Sequence, residues 1–220
     1  MEAAAITSGK KFKYIGSALF LIGIFIILFI YISKQITGHA LVTFDQEIIE
    51  VIQSMISTQN TEWMLFITAL GSVKWITIFV ILSVMILLFK KKISLAVFFI
   101  VSSGIGALFN IWLKWLFKRE RPDILPIISE ESYSFPSGHA MGSFIFYGSL
   151  AFVIIHLVHQ KSWRIVGLVI NTILILCIGL SRIYLGVHFP SDIIGGYLAG
   201  AAWLYTCIIL FHYYEYRQNI

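Results

Sequence analysis

The chain has 220 residues, of which 59% are apolar and only 12% charged, and its mean hydropathy is +0.88. A soluble globular domain is about 45–50% apolar and about 25% charged, so this composition excludes an ordinary cytosolic domain, a disordered chain and a disulfide scaffold, and leaves an integral membrane protein. The formal charge of +5 does not point to nucleic acid, because no basic stripe with interleaved aromatics stands free of the apolar runs.

The apolar runs, in chain order, define the architecture. A spanning helix needs about 20 mostly apolar residues. The run 14–32 meets this and follows Lys10, Lys11 and Lys13. It is longer than a signal-peptide core and no small-residue cleavage site follows it, so it reads as an uncleaved first span. Next, residues 45–56 place Ile48, Ile49, Val51, Ile52, Met55 and Ile56 at helical spacing, with Asp45 as N-cap. This reads as an amphipathic helix lying on the outer interface or packing on the bundle. A second span ends at residue 89 and begins near Trp75 or, with its lead-in, near Trp63. Further spans cover 93–115, 138–159, 165–185 and 191–214. Cys177 and Cys207 fall inside apolar stretches, outside any metal-ligand spacing, and read as packing residues. The expected fold is all-α: one domain over 1–220, an integral membrane bundle of six transmembrane helices with an additional outer interfacial helix.

Lys10, Lys11, Lys13, Lys90, Lys91, Lys92, Lys161, Arg164 and Arg217 share one side of this arrangement, which the positive-inside rule makes cytoplasmic. Both termini then lie in the cytoplasm. Lys114, Lys118, Arg119, Arg121 and Arg182 remain near the opposite face, at span ends, where a charge needs another reason to be kept.

Three clusters lie on that outer face. Lys114 and Arg121-Pro122 come from different backbone segments. Pro122 biases Arg121 towards extended backbone, and an ammonium with a planar guanidinium suits one phosphate. Anchoring to anionic lipid is the simpler alternative. The run Ser134-Phe135-Pro136-Ser137-Gly138-His139 marks a helix N-terminus. Its free N–H groups can bind an anion, and His139 can protonate a leaving oxygen; a capped helix start with an incidental histidine is the alternative. In the third cluster, Ser181-Arg182 precedes His188, and Asp192 stands four residues after it. That carboxylate can reach back to fix the imidazole tautomer, leaving the other nitrogen as a nucleophile towards phosphorus. A structural His–Asp bond closing a turn is the alternative. Together the clusters supply a nucleophile, an acid, three cations and a helix N-terminus, the parts that phosphoryl transfer requires. No carboxylate cage or His/Cys set for a metal is evident.

These segments, KWLFKRERP from Lys114, PSGH from Pro136 and SRIYLGVHFPSD from Ser181, resemble in order and spacing the three-part signature of the type 2 phosphatidic acid phosphatase (PAP2) family. The resemblance covers 114–192 and suits a six-span bacterial member. It implies that His188 attacks phosphorus and becomes phosphohistidine, that Asp192 orients it, and that His139 protonates the leaving oxygen and returns as base for water. It further implies that Lys114, Arg121, Ser137, Gly138 and Arg182 hold the phosphate oxygens, without a metal or cofactor. The substrate would be a lipid phosphate: phosphatidylglycerophosphate, phosphatidic acid or undecaprenyl diphosphate. A phosphotransferase with the same phosphohistidine, and a non-catalytic lipid-binding or translocating protein, are the alternatives. Glu130 and Glu131 read as solvated loop residues. His39, His156, His159 and His212 read as interfacial polar residues.

Overall fold

The computed structural model describes residues 2–122 and 126–218, with side chains from residue 16 onward. Lys10, Lys11 and Lys13 therefore fall outside the described side chains. Among the described residues the ordered secondary structure is helical: α1 (Glu2–Thr37), α2 (Val42–Gln53), α3 (Thr58–Leu70), α4 (Val73–Phe89), α5 (Ile93–Ile100), a π-helical turn (Val101–Ile105), α6 (Gly106–Phe117), α7 (Gly138–Leu157), α8 (Lys161–Tyr184) and α9 (Pro190–Gln218). α1, the continuous Ile93–Phe117 segment, α7, α8 and α9 are each long and apolar enough to cross a bilayer. α3 and α4 pass the same test only as a pair, bent by 48° at Gly71-Ser72. The six-span reading of a multi-pass membrane protein therefore holds, with the second span broken where the sequence left its start open.

The bend has local causes. Ser57 and Ser72 cap α3 and α4, their hydroxyls accepting from the Asn60 and Trp75 amides. Gly71 sits against α8, where an added Cβ would lie 2.4 Å from Ile178 Cγ2. Within the third span, the π turn is tied to its neighbours: Trp203 Nε1 donates to the Ser102 carbonyl at 2.8 Å, and the Ser102 and Ser149 hydroxyls meet at 3.1 Å.

α9 packs on α1 and α7, and α7 also lies against α8. Gly196 and Gly200 permit the α9–α7 approach. A Cβ on Gly196 would stand 2.9 Å from the Ser137 carbonyl oxygen, and one on Gly200 3.2 Å from that of Met141. These two glycines, four residues apart, form a contact stripe on α9. Aromatic rings fill the adjoining core, with Phe98, Phe99, Phe146 and Phe211 buried.

At one end of the bundle lie the tight turns at Lys90–Lys92 and 158–160. At the other lie α2, the long segment between α6 and α7, and the turn between α8 and α9. The last two, with the helix ends that border them, hold the site residues expected from the sequence. Lys118, in the left-handed region at φ 46°, ends α6. Gly186, at φ 76°, turns the chain out of α8 so that 187–189 cross the bundle mouth before α9 starts.

One expectation is corrected. Asp45 is not an N-cap. α2 begins three residues earlier, after Leu41, and Asp45 falls in its first turn on the buried face, 1% exposed. Its carboxylate is engaged by other elements rather than by its own helix.

Candidate functional site

His188 is held in the short turn between α8 and α9, and only 2% of it is exposed. Its Nδ1 faces Asp192 Oδ2 at 3.4 Å and Ser134 Oγ at 3.3 Å, while Nε2 faces Arg121 Nη1 at 3.4 Å. A carboxylate only accepts and a guanidinium only donates, so both contacts assign the proton to Nδ1 and the lone pair to Nε2. Burial pulls the His188 pKa down to about 4, against the opposing pull of Asp192; the ring is neutral at pH 7.

Asp192, in the first turn of α9, is fully buried. Its Oδ2 also accepts from Ser134 Oγ at 2.5 Å and from the Phe189 amide at 2.9 Å, and its Oδ1 accepts from Arg119 Nη1 at 2.6 Å. The carboxylate is therefore saturated on both oxygens, as a buried charge must be.

Three cations arrive on separate elements. Lys114, in the last turn of α6, donates to the Tyr133 carbonyl. Arg121 is fixed by Nε on the Ser132 carbonyl at 2.8 Å and by Nη1 on the Val187 carbonyl at 2.5 Å. Burial lowers its pKa, while Glu130 and Asp192 oppose the shift; a guanidinium remains charged regardless. Arg182, near the end of α8 and 1% exposed, donates to Thr68 Oγ1 at 2.9 Å and pairs with Glu130. Its buried Nε has no hydrogen-bond partner among the described residues.

The α7 N-terminus completes the cluster. Ser137 caps it, accepting from the Ala140 amide at 3.4 Å, and its own amide donates to the Asp192 carbonyl at 3.1 Å. Gly138 lies beside Lys114, whose Cε would be 3.7 Å from an added Cβ. His139 is half-buried and within electrostatic reach of Arg182, His188, Lys114 and Arg121. The eight residues singled out in the sequence thus gather at one end of the bundle. The set that braces them was not assigned that role from the sequence: Arg119 read only as an unexplained outer-face charge, Asp45 as a cap and Glu130 as solvated, while Thr68 and Ser191 were not singled out. Glu130 is not a solvated loop residue. It pairs with Arg182 and stands 3.9 Å from Arg121. Ser134, quoted in sequence as part of the second cluster, contacts both His188 and Asp192. The flanking aromatics are spent on packing: Phe135 stacks on Phe29, and the Tyr184 hydroxyl meets that of Thr61 at 3.0 Å.

Beside Arg121 a cleft of about 900 Å³ opens between the end of α1, α2 and the segment after α6, lined by Ile36, Ile49, Phe117 and Phe189 with Arg119 and Glu50. Among the described residues no three His, Cys, Asp or Glu side chains gather as a metal-ligand set.

A multi-pass helical bundle with a buried histidine–carboxylate pair amid guanidinium groups is the build of a membrane phosphohydrolase. The chain belongs to the PAP2 superfamily, which its residues 75–216 match, and is a hydrolase of that family. It is 29% identical to phosphatidylglycerophosphatase B of Bacillus subtilis over 79% of this chain and 86% of that one. It is 31% identical to the undecaprenyl-diphosphatase of Sulfolobus acidocaldarius over 81% and 83% of the two chains. The fold superposes with a TM-score of 0.80, at 26% identity, on the crystal structure of a transmembrane PAP2-type phosphatidylglycerolphosphate phosphatase from Bacillus subtilis, covering 86% of this chain and 94% of that one.

Proposed function

We propose that the protein removes the terminal phosphate of a membrane lipid phosphate, with His188 as nucleophile. The observation that carries this reading is the division of labour on one imidazole: Nδ1 towards Asp192, Nε2 towards Arg121. Nε2 attacks phosphorus, and the bond from phosphorus to the lipid oxygen breaks. His139 gives that oxygen its proton, and the freed lipid alcohol (or, from a diphosphate, the lipid monophosphate) leaves. Water then attacks the phosphohistidine, His139 takes a proton from it, and inorganic phosphate departs with Nε2 restored. The incoming phosphate places negative charge beside His139 and so favours its protonated form. Lys114, Arg121 and Arg182, with the Ser137 hydroxyl and the amides of Gly138 and His139, surround the phosphoryl oxygens; positioning and charge supply the catalysis, without a metal.

The substrate is a phosphate monoester or diphosphate on a lipid. The names of the relatives favour phosphatidylglycerophosphate and undecaprenyl diphosphate over phosphatidic acid, and the cleft beside Arg121 has room for a head group. The retention of Lys90, Lys91, Lys92, Lys161, Arg164 and Arg217 at the other end supports cytoplasmic termini and an extracytoplasmic site.

The test is phosphate release from the three lipids by purified wild type and His188→Ala in the presence of EDTA, with acid quench for an acid-labile phosphoenzyme. Release by the wild type and none by the variant is expected. Equal release by both proteins removes the nucleophile assignment. Orientation is tested by a cysteine placed beside Pro126, expected to react with an impermeant thiol reagent from outside intact cells; labelling only from the cytoplasmic side reverses it.

A further inference from the structure

We propose that Arg119 is a positioning residue, a bridge between Asp45 on α2 and Asp192 on α9 that fixes the rotation of the Asp192 carboxylate, so that one oxygen faces the His188 imidazole squarely. The inference rests on the reading of His188 as nucleophile and Asp192 as its orienting carboxylate.

Arg119 lies in the segment after α6, one residue past the left-handed Lys118. Its Nη1 donates to Asp192 Oδ1 at 2.6 Å and to Ser191 Oγ at 2.8 Å, and its Nη2 donates to Asp45 Oδ2 at 2.9 Å. The guanidinium carbon sits 4.0 Å from the centre of the Phe189 ring, which holds the fork flat. Ser191 closes the network: its amide donates to Asp45 Oδ1 at 2.8 Å and its hydroxyl to Asp45 Oδ2 at 2.6 Å. Two carboxylates, 1% and 0% exposed, therefore share one cation.

This arrangement decides the geometry of Asp192. The terminal torsion of an aspartate is broad, so a carboxylate held on one oxygen alone can turn. Arg119 claims Oδ1. That leaves Oδ2 for Ser134, the Phe189 amide and His188 Nδ1, the contacts that keep the proton on Nδ1 and the lone pair on Nε2. Remove Arg119 and two buried carboxylates flank Ser191 with no cation between them, an arrangement that forces protonation or reorientation. Arg119 differs from Lys114, Arg121 and Arg182 in that both its terminal nitrogens are spent on carboxylates, so it acts on turnover and not on phosphate affinity. Asp45 extends the chain of support: α2 reaches the catalytic pair through a single buried side chain.

The experiment compares Arg119→Ala, Arg119→Lys, Asp45→Asn and the Arg119→Ala/Asp45→Asn double variant with wild type and His188→Ala. Each is purified in detergent and assayed for kcat and KM on whichever of phosphatidylglycerophosphate, undecaprenyl diphosphate and phosphatidic acid the wild type hydrolyses fastest. Arg119→Ala is expected to lower kcat about 10- to 100-fold with KM within about twofold of wild type. Arg119→Lys, which can pair with one carboxylate only, is expected to restore part of that loss. Asp45→Asn should lower kcat less, and the double variant should be little worse than Arg119→Ala, because Asp45 acts through Arg119. If Arg119→Ala does not fold, Arg119→Lys and Asp45→Asn carry the comparison. A raised KM at unchanged kcat would make Arg119 a phosphate ligand and overturn the inference. Wild-type kcat in folded Arg119→Ala, or fully additive losses in the double variant, would overturn it too. If His188→Ala is inactive while Arg119→Ala turns over normally, only this inference fails. Turnover by His188→Ala would remove the nucleophile assignment and this inference together.

Discussion

Replacing Asp192 by Asn changes one oxygen into an amide nitrogen and nothing in size. Four donors meet the native carboxylate: Arg119 on Oδ1, and Ser134 Oγ, the Phe189 amide and His188 Nδ1 on Oδ2. An asparagine can satisfy only one side. The charged Arg119 fork is the stronger claimant on the remaining oxygen, so the NH2 group turns towards His188. There it meets the Phe189 N–H as donor against donor and donates to Nδ1. The imidazole must then carry its proton on Nε2, the atom proposed above to attack phosphorus. Forcing a catalytic histidine into the wrong tautomer costs about 10⁴ in kcat where the same substitution has been made in a serine-protease triad, equivalent to about 5 kcal/mol of barrier. The cations are untouched, so KM should stay within about threefold. Steady-state phosphate release on the folded variant measures both constants, and ¹⁵N shifts of the labelled imidazole report the tautomer directly. A loss in kcat below tenfold, or a variant whose Nδ1 remains protonated, would refute the reasoning.

The depressed His188 pKa has two consequences. On the proposed mechanism His188 stays unprotonated down to about pH 4, so the acidic limb of kcat/KM that reports it should fall near pH 4 and be absent at pH 6; an NMR titration of the labelled His188 imidazole with its midpoint near 6.5 would contradict its burial. Between that value and the ordinary histidine pKa of about 6.5, the unfolded chain binds the extra proton, so His188 makes stability fall as pH drops through this window. His188→Gln should flatten that slope in detergent unfolding curves. Gly196→Ala should destabilise the fold by about 1–3 kcal/mol, because its Cβ would meet the Ser137 carbonyl oxygen at 2.9 Å and the Met141 amide at 3.2 Å, both backbone atoms of the facing helix start. Gly16→Ala, within α1 and with nothing within 4 Å, is the matched control and should leave the melting temperature unchanged or slightly raised, because alanine is the better helix former. Equal melting of the two variants would show that α9 and α7 are not as close as drawn.

Five spans were legible because each is a continuous apolar run, the start of the second stayed open because it is broken at Gly71-Ser72, and the three clusters were legible because each packs its polar groups into a few neighbouring residues. The bracing network was not, because its members are far apart in the chain: Asp45 meets Arg119 and Ser191 at separations of 74 and 146 residues. A rule for helix starts sees only the local chain, so Asp45 read as a cap. A signal was nonetheless present. Asp45 shares the helical stripe of Ile48, Ile49 and Ile52, and a carboxylate on an apolar face requires a partner. Glu130 read as solvated for a similar reason. Its segment is polar and rich in turns, and nothing nearby announces that a buried arginine on α8 lies opposite.

His188 and Asp192 stand at the threshold of α9, whereas Lys114, Arg121 and Arg182 belong to α6, to the segment after it and to α8. On the proposed mechanism the groups that grip an anion and the pair that would cleave it are thus divided between α9 and the rest of the bundle, and they meet only where α9 is seated against α1 and α7. A chain lacking α9 would keep the grip and lose the blade.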